Sequence, residues 1–347
     1  LGSEDRSSTF AVTSFMDCTT CSASNGRLLA VANGHRVRVF ELEHHTNSAR
    51  HLALANTAVR DVTALGWQPL ALVQLAVGCA AGIALWRISY GRTNNQLEGA
   101  SLQCIVAHDA PVASLAWHPA GEWLAAVSAS HAALRLCEPA DGSTLRLLWM
   151  RSGGEGLSLV SAPRCGSLLV TSGVASGVRV YETRSWRSRT WARFGAPCTA
   201  AAWCGPPYLG GEAPRVLLLA CGEVLHVLRF ALPPHVDGAA RVHADYVGSF
   251  DTAVLASSCG LNHRGTTPAG AVVDAPDDLS HAATPPPSSE GVGGGPSVRA
   301  LAWEPEGERL AVALSLRGPA CAAEAVALVS TSSATSMPAL RPLGLLK

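Results

Sequence analysis

Residues 112–139 read VASLAWHPAGEWLAAVSASHAALRLCEP. Apolar and polar positions alternate through VASLAWH, break at PAGE, resume in WLAAVSA and resume again in ALRLCE, the pattern of short strands joined by turns. Kindred strings return elsewhere: VTALGWQPLALVQLAVGCAAGIALWRI from Val62 and VRALAWEPEGERLAVAL from Val298. A chain that repeats itself in this way is assembled from copies of one unit.

Aligning on the apolar-x-apolar-x-Trp core, followed by a Gly turn and LAV, gives the anchors Trp67, Trp117, Trp203 and Trp303. Ser161 takes the same place two residues before a proline, and Ser22 is placed by its distance from the turn at Gly26. Successive anchors from Ser22 to Trp203 are 45, 50, 44 and 42 residues apart, and the step to Trp303 is 100 because a Pro/Gly/Ser-rich insert intervenes. A period in the forties with several short strands per unit predicts an all-β, WD40-type β-propeller. No segment sustains the i, i+3, i+4, i+7 spacing of a helical repeat. Six units are visible, the last ending soon after its third strand. The run STFAVTSF near the start is a candidate strand for closing the ring. The expectation is seven blades with the last incomplete, forming a single propeller domain over residues 1–347.

The third strand of a WD40 repeat ordinarily ends in Trp-Asp. The pairs here are Phe40-Glu41, Trp86-Arg87, Cys137-Glu138, Tyr181-Glu182 and Leu228-Arg229, which keep the apolar position and only sometimes the acid. The usual Asp six residues earlier is replaced by Gly34, Ala80, His131, Ala175 and Gly222, while His108 stands where the repeat's Gly-His falls. Without that Asp the His–Ser–Asp–Trp hydrogen-bond network has no centre, so these blades are expected to rely on apolar packing.

The 347 residues are 48% hydrophobic and carry 26 basic and 26 acidic side chains, so no global field draws the chain to nucleic acid or anionic lipid. Lys347 is the only lysine. Eleven scattered cysteines, an odd number without a framework, and no visible signal segment point to reduced thiols inside the cell. From Val62 to Trp86 there is no charged residue, a length that would suit a membrane span. Its copy in residues 112–137 carries Glu122, His131 and Arg135, however, so the run reads as a blade.

The chemistry to be found is sparse. Cys18-x-x-Cys21 with His44 and His45 has metal-like spacing, but adjacent strand residues point to opposite faces, and buried thiols are the better reading. His108-Asp109 with His131 suggests a catalytic pair, yet no GxSxG, HExxH or phosphate-cradling loop accompanies it, and His108 fits a structural loop histidine. Arg184, Arg187, Arg189 and Arg193 interleave with Trp186 and Trp191, a strip able to stack bases or meet a protein partner. The plainer reading is an outer strand and loop with solvated arginines. Residues 265–296, including TPPPSSEGVGGGPS, are too rich in Pro, Gly and Ser to order themselves and are expected to form a disordered insert within the propeller. No catalytic, cofactor-binding or metal-ligating residue is assigned, and no cofactor.

The joins between repeats are more distinctive than the repeats. VTALGWQPLALVQLAVGCAAGIALWRI, VASLAWHPAGEWLAAVSAS, LLWMRSGGEGLSLV, RVYETRSWRSRTWARFGAPCTAAAWC and RALAWEPEGERLAV together resemble the Aladin family of WD-repeat nucleoporins across nearly the whole chain. The departures are the insert between Phe230 and Ser297 and the missing final blade. The resemblance implies a non-catalytic scaffold of the nuclear pore complex at the nuclear envelope. Its implied partners are other nucleoporins, above all a transmembrane nucleoporin that anchors the pore ring. Nucleocytoplasmic transport of protein and mRNA would depend on it indirectly. No direct nucleic acid, membrane insertion or small-molecule substrate is implied. The rival readings are a WD40 substrate receptor of a ubiquitin ligase, which would co-purify with a cullin complex, and a propeller hydrolase, which would need converging carboxylates in a polar pocket.

Overall fold

In the computed structural model, residues 112–139 become three antiparallel strands of one sheet, as their turn-broken alternation predicts. The structure describes residues 21–42, 51–70, 73–91, 97–108, 110–130, 134–140, 144–151, 156–163, 166–173, 177–191, 194, 196–204, 215–231, 243–258, 296–303, 309–317, 322–332 and 339–346. These form six four-stranded sheets, each a meander in which successive strands are hydrogen-bonded neighbours. The first holds β1 (Cys21–Ser24), β2 (Leu28–Asn33), β3 (Arg36–Glu41) and β4 (His51–Leu54). The second holds β5 (Ala64–Trp67), β6 (Gln74–Cys79), β7 (Gly82–Tyr90) and β8 (Leu97–Ala107). The third holds β9 (Ser114–Trp117), β10 (Leu124–Val127), β11 (Leu134–Ala140) and β12 (Thr144–Arg151). The fourth holds β13 (Leu157–Ser161), β14 (Leu168–Gly173), β15 (Val178–Glu182) and β16 (Ser188–Trp191). The fifth holds β17 (Cys198–Cys204), β18 (Arg215–Cys221), β19 (Val224–Ala231) and β20 (His243–Asp251), followed by the short helix α1 (Thr252–Ser258). The sixth holds β21 (Ser297–Trp303), β22 (Arg309–Arg317), β23 (Ala322–Ser332) and β24 (Ala339–Leu346).

By its internal contacts the chain divides into two compact units, Leu1–Ala162 and Pro163–Lys347. In the first, register explains packing. Trp117 stands opposite Leu124 and Leu124 opposite Cys137, so the three share one face. They pack with Ala76, Ile83 and Leu85 of the second sheet. The alternate residues Leu75, Val77, Cys79, Ala84, Trp86 and Ile88 pack instead with Ala30, Ala32, Val37 and Val39 of the first sheet. Both faces of β6 and of the first half of β7 are therefore covered, which is why residues 62–86 need no charge. That run is β5, β6 and most of β7, and among the described residues no helix is long and apolar enough to cross a membrane.

In the second unit, Ala200, Leu218, Ala220, Leu225 and Val227 of the fifth sheet pack with Val298, Leu310, Val312, Leu314, Ala327 and Val329 of the sixth. Helix α1 was not foreseen. Asp251 Oδ1 accepts from Ala253 N at 2.7 Å as an N-cap, the Thr252 hydroxyl reaches Glu223 O at 2.8 Å and Pro296 O at 2.6 Å, and Leu255 and Ala256 are buried in the same core. Seven residues are too few for apolar periodicity to announce a helix.

Two expectations change. The Trp303 unit does not stop after its third strand: β24 pairs with β23 from Ala339 to Leu346 and completes that blade. Six sheets are seen among the described residues, and the STFAVTSF run read as a candidate for closing the ring lies outside them, as do residues 265–295 of the insert. The anchor of the first blade is Ser24 rather than Ser22. Asn25 N donates to Leu28 O just as Gln68 N donates to Gln74 O and His118 N to Trp123 O, so Ser24, Trp67 and Trp117 are equivalent. A serine in place of tryptophan left only turn distance to align on, and the turns differ in length.

Candidate interaction surface

What holds one blade to the next is a short set of polar contacts between otherwise apolar faces. Trp117 Nε1 donates to Gly66 O at 3.0 Å and Trp67 Nε1 to Ala23 O at 3.1 Å, each indole reaching the innermost strand of the preceding blade. Val62 N donates to Gly34 O at 2.7 Å and Val112 N to Cys79 O at 3.3 Å. A second device recurs in both units. The hydroxyl of Thr63, four residues before Trp67, donates to Val112 O of the following blade. Thr199, four residues before Trp203, donates likewise to Val298 O at 3.0 Å. The sequence held the signal, a threonine at one fixed offset from two anchors. Its meaning depended on where the neighbouring strand lay.

The predicted loss of the WD40 polar network has a visible counterpart. Trp86 occupies the terminal tryptophan position of its repeat, and its Nε1 is buried with no hydrogen-bond partner. The residue opposite it on β6 is Leu75, which offers no acceptor. Trp203 Nε1 and Trp303 Nε1 are also buried without partners. The one acid kept at a buried Trp-Asp-like position serves another purpose. Glu41 Oε1 accepts from Arg27 Nη2 at 3.3 Å, and the same guanidinium lies 4.2 Å from the ring centre of Tyr90 in the second blade. Burial pushes the Tyr90 phenol above its ordinary range, partly countered by Arg27.

Of the residues considered for chemistry, His108 is buried beside the β6–β7 turn, with its N donating to Ala81 O at 3.4 Å and its Nδ1 accepting from Ala110 N at 3.4 Å. That is a loop-holding role. Asp109 and His131, its suggested catalytic companions, lie outside the described residues. So do Cys18, His44 and His45, and of the metal candidate the described residues include Cys21, half-buried on β1. Cys79, Cys137, Cys198 and Cys221 are buried thiols. Burial pushes Cys137 up to about 11. Cys198 and Cys221 face each other across β17 and β18, and their hydrogen bond lowers the first and raises the second. Among the described residues no group of three or more His, Cys, Asp or Glu could hold a metal ion.

His226 on β19 was not singled out in the sequence. It is buried against Phe194, ring centres 4.7 Å apart, and burial lowers its pKa to about 4. Between pH 6.5 and about 4 the unfolded chain takes up a proton that the folded imidazole refuses. Stability is therefore expected to fall as pH drops through that window, by roughly 3 kcal/mol from this residue at full protonation. Denaturant titrations of wild type and His226→Gln at pH 7 and pH 4.5 check this: the variant should lose distinctly less on acidification.

The arginine strip singled out in the sequence remains to be placed. Residues 183–187 form the turn between β15 and β16, with Trp186 N donating to Glu182 O at 2.7 Å and Glu182 N to Arg187 O at 2.9 Å. Arg184 and Arg187 are exposed on this turn, Arg189 is half-buried on β16, and Arg179 Nε donates to Thr190 Oγ1 at 3.1 Å across the strand pair. Trp186 is half-buried against Tyr181, ring centres 6.5 Å apart, with a left-handed φ of 55°. The reading of this stretch as an outer strand and loop holds for Arg184, Arg187 and Arg189. Trp186 packs against Tyr181 of its own hairpin. Arg193 and the Trp191 side chain lie outside what is described.

Comparison with known proteins agrees with this architecture. The family "WD domain, G-beta repeat" (WD40) matches residues 99–134. That stretch runs from the outer strand β8 through β9 and β10 to the start of β11, so the repeat in sequence straddles two blades. Among solved structures, a chain of the "Mitotic Checkpoint Complex" is similar at 16% identity with a TM-score of 0.56, over 93% of this chain and 77% of that one. The Cps50 (Swd1) beta-propeller domain of Myceliophteria thermophila is similar at 13% identity with a TM-score of 0.59, over 94% of this chain and 85% of that one. At such identities the likeness is one of fold. The chain is an all-β, WD40-type β-propeller protein, an architecture that typically serves as a non-catalytic scaffold for protein interaction.

Proposed function

We propose that this propeller is a scaffold of the nuclear pore complex that links soluble nucleoporins to a membrane-anchored nucleoporin and so supports nucleocytoplasmic transport. In this reading the whole chain, residues 1–347, acts as one propeller domain with the 265–296 segment as an insert. The observation that carries it is the agreement at joins between repeats, in strings such as LLWMRSGGEGLSLV and RVYETRSWRSRTW. The first spans the passage from β12 to β13 and the second the β15–β16 hairpin. Such connections are not dictated by the packing that makes all WD40 blades alike, so similarity there speaks for a particular family.

A neutral chain whose described part holds no helix fit to cross a bilayer needs a protein to hold it at a membrane. The tagged protein is therefore expected to stain the nuclear envelope in a punctate rim, and to become diffuse when the anchoring transmembrane nucleoporin is depleted. Rim staining that survives depletion, or binding of the purified protein to protein-free liposomes, would overturn the tethering. Co-purification with a cullin complex instead of nucleoporins would transfer the scaffold to protein degradation.

A further inference from the structure

We infer that the β15–β16 hairpin is a docking site for an extended acidic segment of a partner protein, which adds a strand to the outer edge of β16. The inference stands whichever assembly the propeller serves, because it rests on this hairpin alone.

Charge is the first ground. Over residues 179–190 four arginines, Arg179, Arg184, Arg187 and Arg189, stand against one carboxylate, Glu182, in a chain whose net charge is zero. Glu182 Oε2 accepts the hydroxyl of Ser185, and its single charge leaves the stretch with an excess of three positive side chains. The guanidinium groups of Arg184 and Arg187 are exposed and make no hydrogen bond or ion pair among the described residues. Exposed guanidinium forks such as those of Arg184 and Arg187 are suited to carboxylates brought by another chain.

Backbone is the second. Among the described residues β16 is the last strand of its sheet and has β15 as its one strand partner, Tyr181 opposite Ser188 and Val178 opposite Trp191. In an antiparallel edge strand, alternate residues turn their N–H and C=O groups away from the partner, a ready template for one more strand. Ser188 and Thr190 are small and exposed, so no bulky side chain on that face obstructs an incoming chain. The hairpin is also held in shape before any partner arrives. Arg179 is fastened to Thr190, and the tight turn fixes Trp186 at a positive φ against Tyr181. Little ordering entropy then remains to be lost on the propeller side. An extended peptide with carboxylates on alternate residues meets both demands, whereas RNA would use the charge and leave the strand edge idle.

The test is fluorescence anisotropy of the whole purified chain with three labelled probes: a ten-residue alternating Glu-Val peptide, the same peptide with its central valines replaced by proline, and an oligouridine of equal charge. The Glu-Val peptide is expected to bind, more weakly as salt rises. The proline peptide should bind about tenfold more weakly, because it cannot supply the ladder hydrogen bonds. Arg184→Glu with Arg187→Glu should cost tenfold or more with the melting temperature unchanged, while Arg36→Glu with Arg299→Glu, equally exposed elsewhere, should cost little. Equal binding of the proline peptide would overturn strand addition. Equal losses in both double variants, or no binding of the Glu-Val peptide, would overturn the site. Tighter binding of oligouridine, lost in the Arg184/Arg187 variant, would make the hairpin a nucleic-acid contact instead. None of these readouts depends on where the protein resides in the cell, so their failure and a failure of rim staining remain separate results.

Discussion

Trp117→Ala is expected to lower the free energy of unfolding by about 3–5 kcal/mol, the range for truncating a buried aromatic side chain. The ring is 8% exposed and lies between two sheets, among Ala76, Ile83 and Leu85 on one side and Val112, Leu124, Ala126 and Cys137 on the other. Truncation opens a cavity between β-sheets whose backbones cannot move together without breaking their ladders, so little of it will close. It also removes the donor that satisfies Gly66 O. Trp117→Phe separates the two effects: most of the apolar contact stays, and only the hydrogen bond and part of the ring are lost, at roughly 1–2 kcal/mol. Urea titration of both variants measures this. Unchanged stability of the alanine variant would mean that β9 presents its other face to the second sheet.

Gly82→Ala is expected to cost about 4 kcal/mol, from one added methyl group. Gly82 opens β7 at a φ of 131°, a region that side chains disfavour by roughly 1–3 kcal/mol. A Cβ there would also run into the carbonyl oxygen of Val106 and stand 2.8 Å from His108 N, both backbone atoms of the outer strand and its following turn. Those atoms cannot swing aside as a side-chain tip would, so the methyl group acts as overpacking of a further 1–3 kcal/mol or so. Gly34 provides the control. It sits in the corresponding turn of the first blade at a φ of 57°, with nothing within 4 Å of a built Cβ, so Gly34→Ala should show the conformational part alone, about 1 kcal/mol. Equal midpoints for the two alanine variants would show that β8 does not close over the β6–β7 turn as described.

The inner three strands of each blade were legible because burial on two faces leaves a strong mark. β6, QLAVGC, is buried throughout, and its Gly turn and preceding Trp recur in register along the chain. The outer strands were not legible as such. β8 is long, but its burial wavers along LEGASLQCIVA without a clean alternation, because its sides meet neighbouring outer strands and solvent unevenly. The fourth strand of the last blade, β24, went unforeseen for the same reason. ALRPLGLL carries a proline and a glycine and reads as a loop until β23 is there to pair with it.

The candidate surface divides along the same line. Sequence alone placed Arg184, Arg187, Arg189 and Arg193 together and showed no basic field elsewhere, since charge and spacing are written directly in the chain. Repetition alone determined a WD40-type propeller, because copies of one strand pattern bury themselves only against each other. Tertiary structure decided the remainder. It set Trp186 against Tyr181, made β16 the last strand of its sheet among the described residues, carried the Thr63 and Thr199 hydroxyls to the next blade, and buried His226 against Phe194. Apart from the Trp186–Tyr181 contact within one hairpin, each of these depends on residues far apart in sequence or on where a sheet ends. Local pattern encodes which face of a strand is apolar, but the acceptor, ring or open edge that meets a given side chain exists only once the strands have been laid side by side.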